Sequence, residues 1–198
     1  MVLPTLLSWK ESAFILDIKG ENWALTSGWR SKYANNRCIR FDPSNPDPTL
    51  CDSFNPLEEI RVGTQYEVGD SQNLALMLVD PLGKGLNDHW TKTAFALLTG
   101  VILYEALKAK DTGENSNLTK LAYRLSDPDR PSDELWEEMC TYKNPVVAAS
   151  GRDMIDRPEE ERGSVLSTAK SFLSLYVDPV VSKNVEKSSF KIRDFMNS

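Results

Sequence analysis

The pattern of apolar and polar positions changes about a quarter of the way along the chain. Before Pro56, short apolar runs end in charged and turn-forming residues, which is typical of strands joined by loops. Phe14–Ile18 and Arg37–Phe41 are predicted strands, with a helix over Asn22–Tyr33 between them. Leu3–Trp9 is predicted as the end of an earlier helix. This β-α-β order indicates part of a parallel sheet.

After Pro56 the apolar residues recur every three or four positions, which predicts helices. Proline and acidic residues at the starts support them, and short links containing glycine or proline separate them. The six predicted helices are Tyr66–Val79, Asp88–Lys110, Asn117–Leu125, Ser132–Tyr142, Pro145–Asp156 and Pro158–Val177. We therefore predict a mainly α chain, with an all-α bundle inserted between elements of a sheet. Pro179–Ser198 is predicted to return to that sheet, as a short strand or the start of a helix.

The helical part is strongly acidic. The segment from Pro56 to Val177 holds 20 acidic and 13 basic residues, a net charge of −7, while the whole chain of 198 residues carries −6. Binding to nucleic acid depends on lysine and arginine that neutralise phosphates, so this segment is poorly suited to it. An acidic surface suits a basic protein partner, or it serves only to keep the bundle solvated.

The end of the first predicted strand carries the best candidates for a chemical site. Asp17, Lys19, Gly20 and Glu21 follow the apolar run directly. At the carboxyl edge of a parallel sheet, a carboxylate can orient water or contact Mg²⁺, and a lysine can approach a phosphate. The alternative is a turn in which Gly20 supplies a permissive backbone and the charges face solvent.

The predicted helix Ser132–Tyr142 is amphipathic, with Leu135, Trp136 and Met139 on one face and acidic residues on the other. Trp136 either packs into the core or forms a ridge for a partner. The candidate partner-binding residues are Glu134, Trp136, Glu137 and Glu138.

No metal site is predicted. His89 is the only histidine, and Cys38, Cys51 and Cys140 are too far apart for a C-x-x-C motif. The longest apolar stretch, Thr93–Leu107, is shorter than the roughly 20 residues that span a bilayer.

Six separated segments, in order, resemble one family. They are PTLL at Pro4–Leu7, DIKGE at Asp17–Glu21, RFDP at Arg40–Pro43, NPL at Asn55–Leu57, DPLGKGLNDHW at Asp80–Trp90 and SFLSLYVDPVV at Ser171–Val181. Together they resemble the type IV secretion coupling proteins, the TraG/TraD group of conjugal transfer ATPases.

The resemblance implies a division of the chain. Residues 1–55 would be a β-α-β remnant of a RecA-like α/β nucleotide-binding domain, residues 56–178 an all-α substrate-recognition domain, and residues 179–198 the return to the first domain. It also implies a parent protein that is a hexameric ATPase anchored at the cytoplasmic face of the inner membrane. Such proteins link the relaxase–DNA complex to the secretion channel, and the helical domain is associated with recognising the relaxase or another secreted protein.

The resemblance also locates the nucleotide. ATP and Mg²⁺ would bind in the parent protein, close to Asp17, Lys19, Gly20 and Glu21. The chain contains no G-x-x-x-x-G-K-[ST] motif and no Walker B strand, so we expect a fragment that lies between the two halves of the ATP site and does not hydrolyse ATP. We expect this fragment to be a soluble, cytoplasmic monomer without a cofactor.

Two other hypotheses remain open from the residues alone. One is a small, complete α/β ligand-binding protein, which requires a full sheet and a pocket. The other is a helical DNA-binding module, against which the acidic charge of the helices counts.

Overall fold

A computed structural model describes residues 2–196 of the chain. Within that range the protein is mainly α-helical. The helices are α1 (Val2–Leu6), α2 (Glu21–Tyr33), α3 (Glu67–Val79), α4 (His89–Thr112), α5 (Leu118–Arg124), α6 (Ser132–Cys140), α7 (Pro145–Asp156), α8 (Glu159–Leu173), α9 (Pro179–Asn184) and α10 (Arg193–Met196). Short 3₁₀ turns cover Pro56–Glu59 and Ser174–Val177. Between Pro56 and Val177 the six predicted helices are all confirmed, with boundaries that differ by at most a few residues.

Side-chain caps explain why several of these helices begin where they do. The carboxylate of Asp88 accepts a hydrogen bond from the Thr91 backbone N–H at 2.8 Å, at the start of α4. Asn117 caps α5 through the Lys120 N–H at 2.9 Å. Such caps satisfy N–H groups that have no partner inside the helix.

The long helix α4 lies at the centre of the bundle, where α3, α7 and α8 pack around it and α6 packs on α7. Its residues Leu98 and Ile102 are completely buried. Two buried glycines permit close approaches between helices: a Cβ on Gly100 would lie 2.0 Å from Ser150 Oγ, and one on Gly151 would lie 2.7 Å from the Trp136 carbonyl oxygen. At these positions the core of the bundle has little room for an additional methyl group.

The two predicted strands are wrong. Residues 12–17 have no regular structure, and the described residues contain no strand, only one isolated parallel bridge between Phe41 and Asp52. Phe14, Leu16 and Ile18 are 99%, 80% and 90% exposed. A strand needs neighbours that accept its backbone hydrogen bonds and cover its faces, and two parallel strands cannot supply this alone. The predicted β-α-β remnant is therefore present only as its helix, α2.

Arg30 holds the N-terminal helices together. It is 6% exposed, and its guanidinium donates hydrogen bonds to the carbonyl oxygens of Leu6, Trp9 and Glu11 at 3.0, 2.6 and 2.8 Å. These bonds satisfy carbonyls at and beyond the end of α1, which the helix itself leaves without partners. Arg30 thus fixes α1 and the turn after it against α2.

None of the helices in the range 2–196 combines the length and the apolar character needed to cross a membrane.

Candidate functional site

The predicted nucleotide-adjacent residues surround the start of α2. The carboxylate of Asp17 accepts hydrogen bonds from the Trp23 backbone N–H at 2.8 Å and from the Asn22 side-chain amide at 3.2 Å. Gly20 occupies the N-cap position with φ of 72°, a left-handed conformation that favours glycine, and has no side chain to cap with. Asp17 caps the helix in its place.

Lys19 and Glu21 lie exposed on the same turn. The structure therefore brings the four predicted residues together, but the Asp17 carboxylate is already bonded to α2. No cluster of three or more potential ligands within residues 2–196 could hold a metal ion.

The predicted partner-binding residues on α6 separate into three kinds. Trp136 is completely buried, so it packs in the core rather than forming a ridge. Glu134 and Glu137 are exposed. Glu138 is half-buried and faces α4 and α5, where it forms the centre of a charged network.

Glu138 has four partners. Its carboxylate accepts a hydrogen bond from the Tyr104 hydroxyl at 2.8 Å and others from Arg130 and Arg124, and Lys108 Nζ lies 3.7 Å away. Burial raises the pKa of Glu138, but the hydrogen bonds from Arg130 and Tyr104 and the charges of Arg124 and Lys108 outweigh it and hold that pKa below its ordinary value. Glu138 therefore joins three helices and is not free to meet a partner.

The network continues into the interior through Arg124. Its Nε lies 3.7 Å from Glu105 Oε1, and Ser116 donates a hydrogen bond to Glu105 at 3.3 Å. Burial raises the pKa of Glu105, and the nearby charge of Arg124 opposes this. Sequence reasoning missed this network because its members come from α4, α5 and α6.

The exposed carboxylates collect at one end of the bundle. The hairpin of α6 and α7 places the start of α6 beside the end of α7, and α8 begins directly afterwards. Arg162 on α8 lies 3.5 Å from Asp133 on α6, and His89 at the start of α4 lies 3.5 Å from Glu161. We call this region the acidic end; its exposed carboxylates are those of Asp133, Asp153, Asp156, Glu159 and Glu160.

Some of these carboxylates are engaged and others are free. Arg157 binds Asp153 at 2.8 Å and also Glu161. By contrast, no side-chain hydrogen bond or ion pair is formed in the described part of the chain by the carboxylates of Asp156, Glu159 and Glu160.

An open groove of about 440 Å³ lies at the acidic end. It runs between Trp90 on α4 and the α8 residues Glu160, Gly163, Ser164, Ser167 and Thr168. The indole of Trp90 is 43% exposed and packs edge-on against His89 at 5.0 Å. Trp90, and not Trp136, is therefore the tryptophan that a partner can reach at this end.

Comparison with known proteins gives a consistent set of relatives. The family model for type IV secretory system conjugative DNA transfer matches residues 1–198. The conjugal transfer protein TraG of Escherichia coli is 55% identical over 203 residues, which cover 100% of this chain and 32% of that protein. The VirD4 protein of Agrobacterium fabrum is 36% identical over 87 residues, which cover 43% of this chain and 13% of VirD4. The chain thus spans about a third of the length of its TraG relatives.

Proposed function

The chain belongs to the type IV secretory system conjugative DNA transfer family, and from this membership we propose that its helical bundle docks secreted substrates for a TraG-type coupling protein. The substrate is a relaxase or another secreted protein, which the whole protein delivers to the secretion channel. Residues 56–178 form the docking part, and residues 1–55 and 179–198 attach it to a nucleotide-binding domain.

The observation that carries this proposal is the acidic end. Carboxylates from α6, α7 and α8 converge there, and Asp156, Glu159 and Glu160 have no cationic partner within the described residues. A relaxase handles DNA and is expected to display a basic surface, so the two charges are complementary. Complementary charge accelerates encounter and selects orientation, and it contributes less to affinity at exposed positions.

Trp90 supplies the apolar contact that charge alone does not. Its half-exposed indole borders the groove beside Glu160. Tryptophan is enriched among residues that dominate binding energy, particularly when a polar rim surrounds it. The proposed docking site is therefore the groove at Trp90 with the acidic end around it.

We assign ATP hydrolysis to the parent protein. The chain contains no phosphate-binding loop motif, and the Asp17 carboxylate is bonded to α2. We expect the purified chain to show no Mg²⁺-dependent ATP hydrolysis above background. In the whole protein, Lys19 and Glu21 are the exposed candidates for a position near the nucleotide.

A paired charge reversal tests the docking proposal. Asp156→Lys with Glu160→Lys removes two unpaired carboxylates from the acidic end, and we expect association with the cognate relaxase to slow by roughly tenfold at low salt. Raising salt from about 50 to about 300 mM should slow the unmodified chain in the same way. Association and dissociation rates on immobilised relaxase are the measurement. Glu138 is left unchanged because it is part of the charged network.

The matched control reverses two exposed carboxylates at the opposite end of α4. Glu114 and Glu186 lie near each other there, since the Asn115 amide donates to the Glu186 carbonyl oxygen at 2.8 Å. Glu114→Lys with Glu186→Lys changes the net charge equally, so it should leave most of the association rate intact. An equal loss of association rate in both double variants would mean that net charge alone matters. An unchanged association rate in the acidic-end variant would contradict docking at the acidic end.

The acidic helices argue against the alternative of a DNA-binding module. Arg124 and Arg130 point their guanidinium groups at Glu138, which neutralises the cations that a phosphate would need. A salt-sensitive gel shift with single-stranded DNA would support that alternative.

A further inference from the structure

The segment that leads into the bundle and the segment that leaves it lie side by side. We call residues 41–59 the incoming segment and residues 185–192 the strap. The Phe54 backbone N–H donates to the Asn184 carbonyl oxygen at 3.0 Å, and the Ser189 N–H donates to the Ser53 carbonyl oxygen at 2.9 Å. These contacts join positions more than a hundred residues apart, so the chain closes on itself here.

Asn184 anchors the base of the strap. It is 2% exposed, and its side-chain amide donates to the carbonyl oxygens of Pro43 at 3.1 Å and Asn45 at 2.8 Å. Its side-chain oxygen accepts the Cys51 thiol at 3.6 Å. Because the amide is buried, losing these partners would leave it unsatisfied, which makes this anchor strong.

Asn55 ties the strap to the bundle. It is completely buried; its amide donates to the carbonyl oxygens of Ser116, after α4, and Glu186, in the strap, at 2.7 and 3.3 Å. Its side-chain oxygen accepts the Leu57 N–H at 3.1 Å. One side chain thus connects the incoming segment, the loop after α4 and the strap.

The outer half of the strap is held differently. Phe190 stacks on Phe54 with ring centroids 5.2 Å apart, and Lys191 pairs with Glu58 at 2.9 Å. The hydroxyl of Ser189, at an exposed site, donates to an Asp52 carboxylate oxygen at 2.9 Å. Contacts at exposed positions contribute little each, so this half can open without disturbing the core of the bundle.

We propose that the strap detaches from the incoming segment and reattaches to it while the bundle stays folded. Closed, it makes the incoming segment, the bundle and the outgoing chain move as one body. Open, the incoming segment stays attached to the bundle through Asn55, which bonds the Ser116 carbonyl oxygen, and through Leu57, which is buried in the bundle core. Asn184 is the residue that sets the balance between these states. The inference does not depend on which substrate the acidic end docks.

Hydrogen exchange on the full chain tests whether the strap opens while the bundle stays folded. Three backbone N–H groups of the strap report closure because they bond to the incoming segment. The N–H of Ser188 bonds to Glu58, that of Ser189 to Ser53 and that of Ile192 to Glu59. We expect them to exchange faster than the amides of α4 in the unmodified chain, and Asn184→Ala to accelerate them by roughly tenfold while α4 stays protected.

Asn87→Ala is the matched control, because the Asn87 amide also donates to two loop carbonyl oxygens, those of Lys84 and Gly85, at 3.0 and 3.3 Å. It should leave the strap amides unchanged. If the strap amides exchange only together with α4, or if Asn184→Ala does not accelerate them, the strap is a fixed part of the fold and the proposal is wrong.

Ser189→Ala supplies a second variant in case Asn184→Ala fails to fold. It removes the hydroxyl that donates to Asp52 in the outer strap and leaves the Asn184 and Asn55 anchors in place. The amides of Ser188 and Ile192 should exchange about threefold faster in Ser189→Ala while α4 stays protected. Unchanged exchange of these amides in both variants would overturn the proposal.

Discussion

The bundle and the N-terminal segment place their apolar side chains in opposite environments. In α4, Leu98 and Ile102 are completely buried, whereas Phe14 and Leu16 in the N-terminal segment are 99% and 80% exposed. A helix satisfies its own backbone and needs only one covered face, which the neighbouring helices supply. A strand of a parallel sheet needs both hydrogen-bonding neighbours and two covered faces. Whether an element forms its own backbone hydrogen bonds, and not how apolar it is, therefore decides which of the two regions is regularly folded.

Two tryptophan substitutions, one in each region, are expected to differ most in their effect on the free energy of unfolding. Trp136 is completely buried, while Trp9 is 53% exposed. We expect Trp136→Ala to lower the free energy of unfolding by about 3–5 kcal/mol. Trp9→Ala should change it by less than about 0.5 kcal/mol. Urea unfolding followed by circular dichroism measures both. Equal losses would mean that the N-terminal segment contributes to the same core.

Glu138→Gln tests whether the charged network stabilises the bundle. The variant removes the anion that Arg124 and Arg130 share and leaves them only Glu105 and Glu134, so we expect a loss of about 1–2 kcal/mol at pH 7, reduced by partial solvent exposure. Because the folded pKa of Glu138 lies below its unfolded value of about 4.3, its contribution is complete above pH 4.3 and disappears as the pH falls through the folded pKa. The urea midpoints of the unmodified chain and of Glu138→Gln should therefore differ at pH 7 and converge as the pH falls to about 3. A difference that stays constant over this range would contradict the role of the carboxylate charge.

Polar replacement in the N-terminal segment should have the smallest effect on stability. Phe14→Ser, Leu16→Ser and Ile18→Ser together should change the free energy of unfolding by less than about 1 kcal/mol. Binding of a hydrophobic dye should fall, because three exposed apolar side chains are removed. A large loss of stability would show that these side chains are covered in solution, for example by a second copy of the chain.

The same contrast explains what could be predicted from the sequence. The helix Pro145–Asp156 was predicted with the bounds it has, because a proline start and a regular apolar period are local signals. The spacing of Trp136 with Leu135 and Met139 left core packing and a partner-binding ridge both open, and its complete burial decides for the core. Phe14–Ile18 has the composition of a strand, but pairing depends on residues far along the chain, so composition alone gave the wrong element.

The candidate site was less predictable because its roles depend on distant contacts. Glu138 was grouped with Glu134 and Glu137 by spacing, but Tyr104 and Arg124, which come from other helices, make it structural. Asn184 carried no signal of its partners, which lie about 140 positions earlier. Asp17 was placed at the edge of a sheet, whereas the structure uses it as a helix cap.

The helix α4 runs between the two regions on which the two proposals rest. Its first turn lies at the acidic end, where His89 contacts Glu161, and the loop after its last turn contacts the strap, because the Asn115 amide donates to the Glu186 carbonyl oxygen. With 24 residues, the helix spans about 36 Å. Because α4 is one continuous helix packed on several sides by α3, α7 and α8, the groove at Trp90 and the loop that touches the strap belong to a single rigid element.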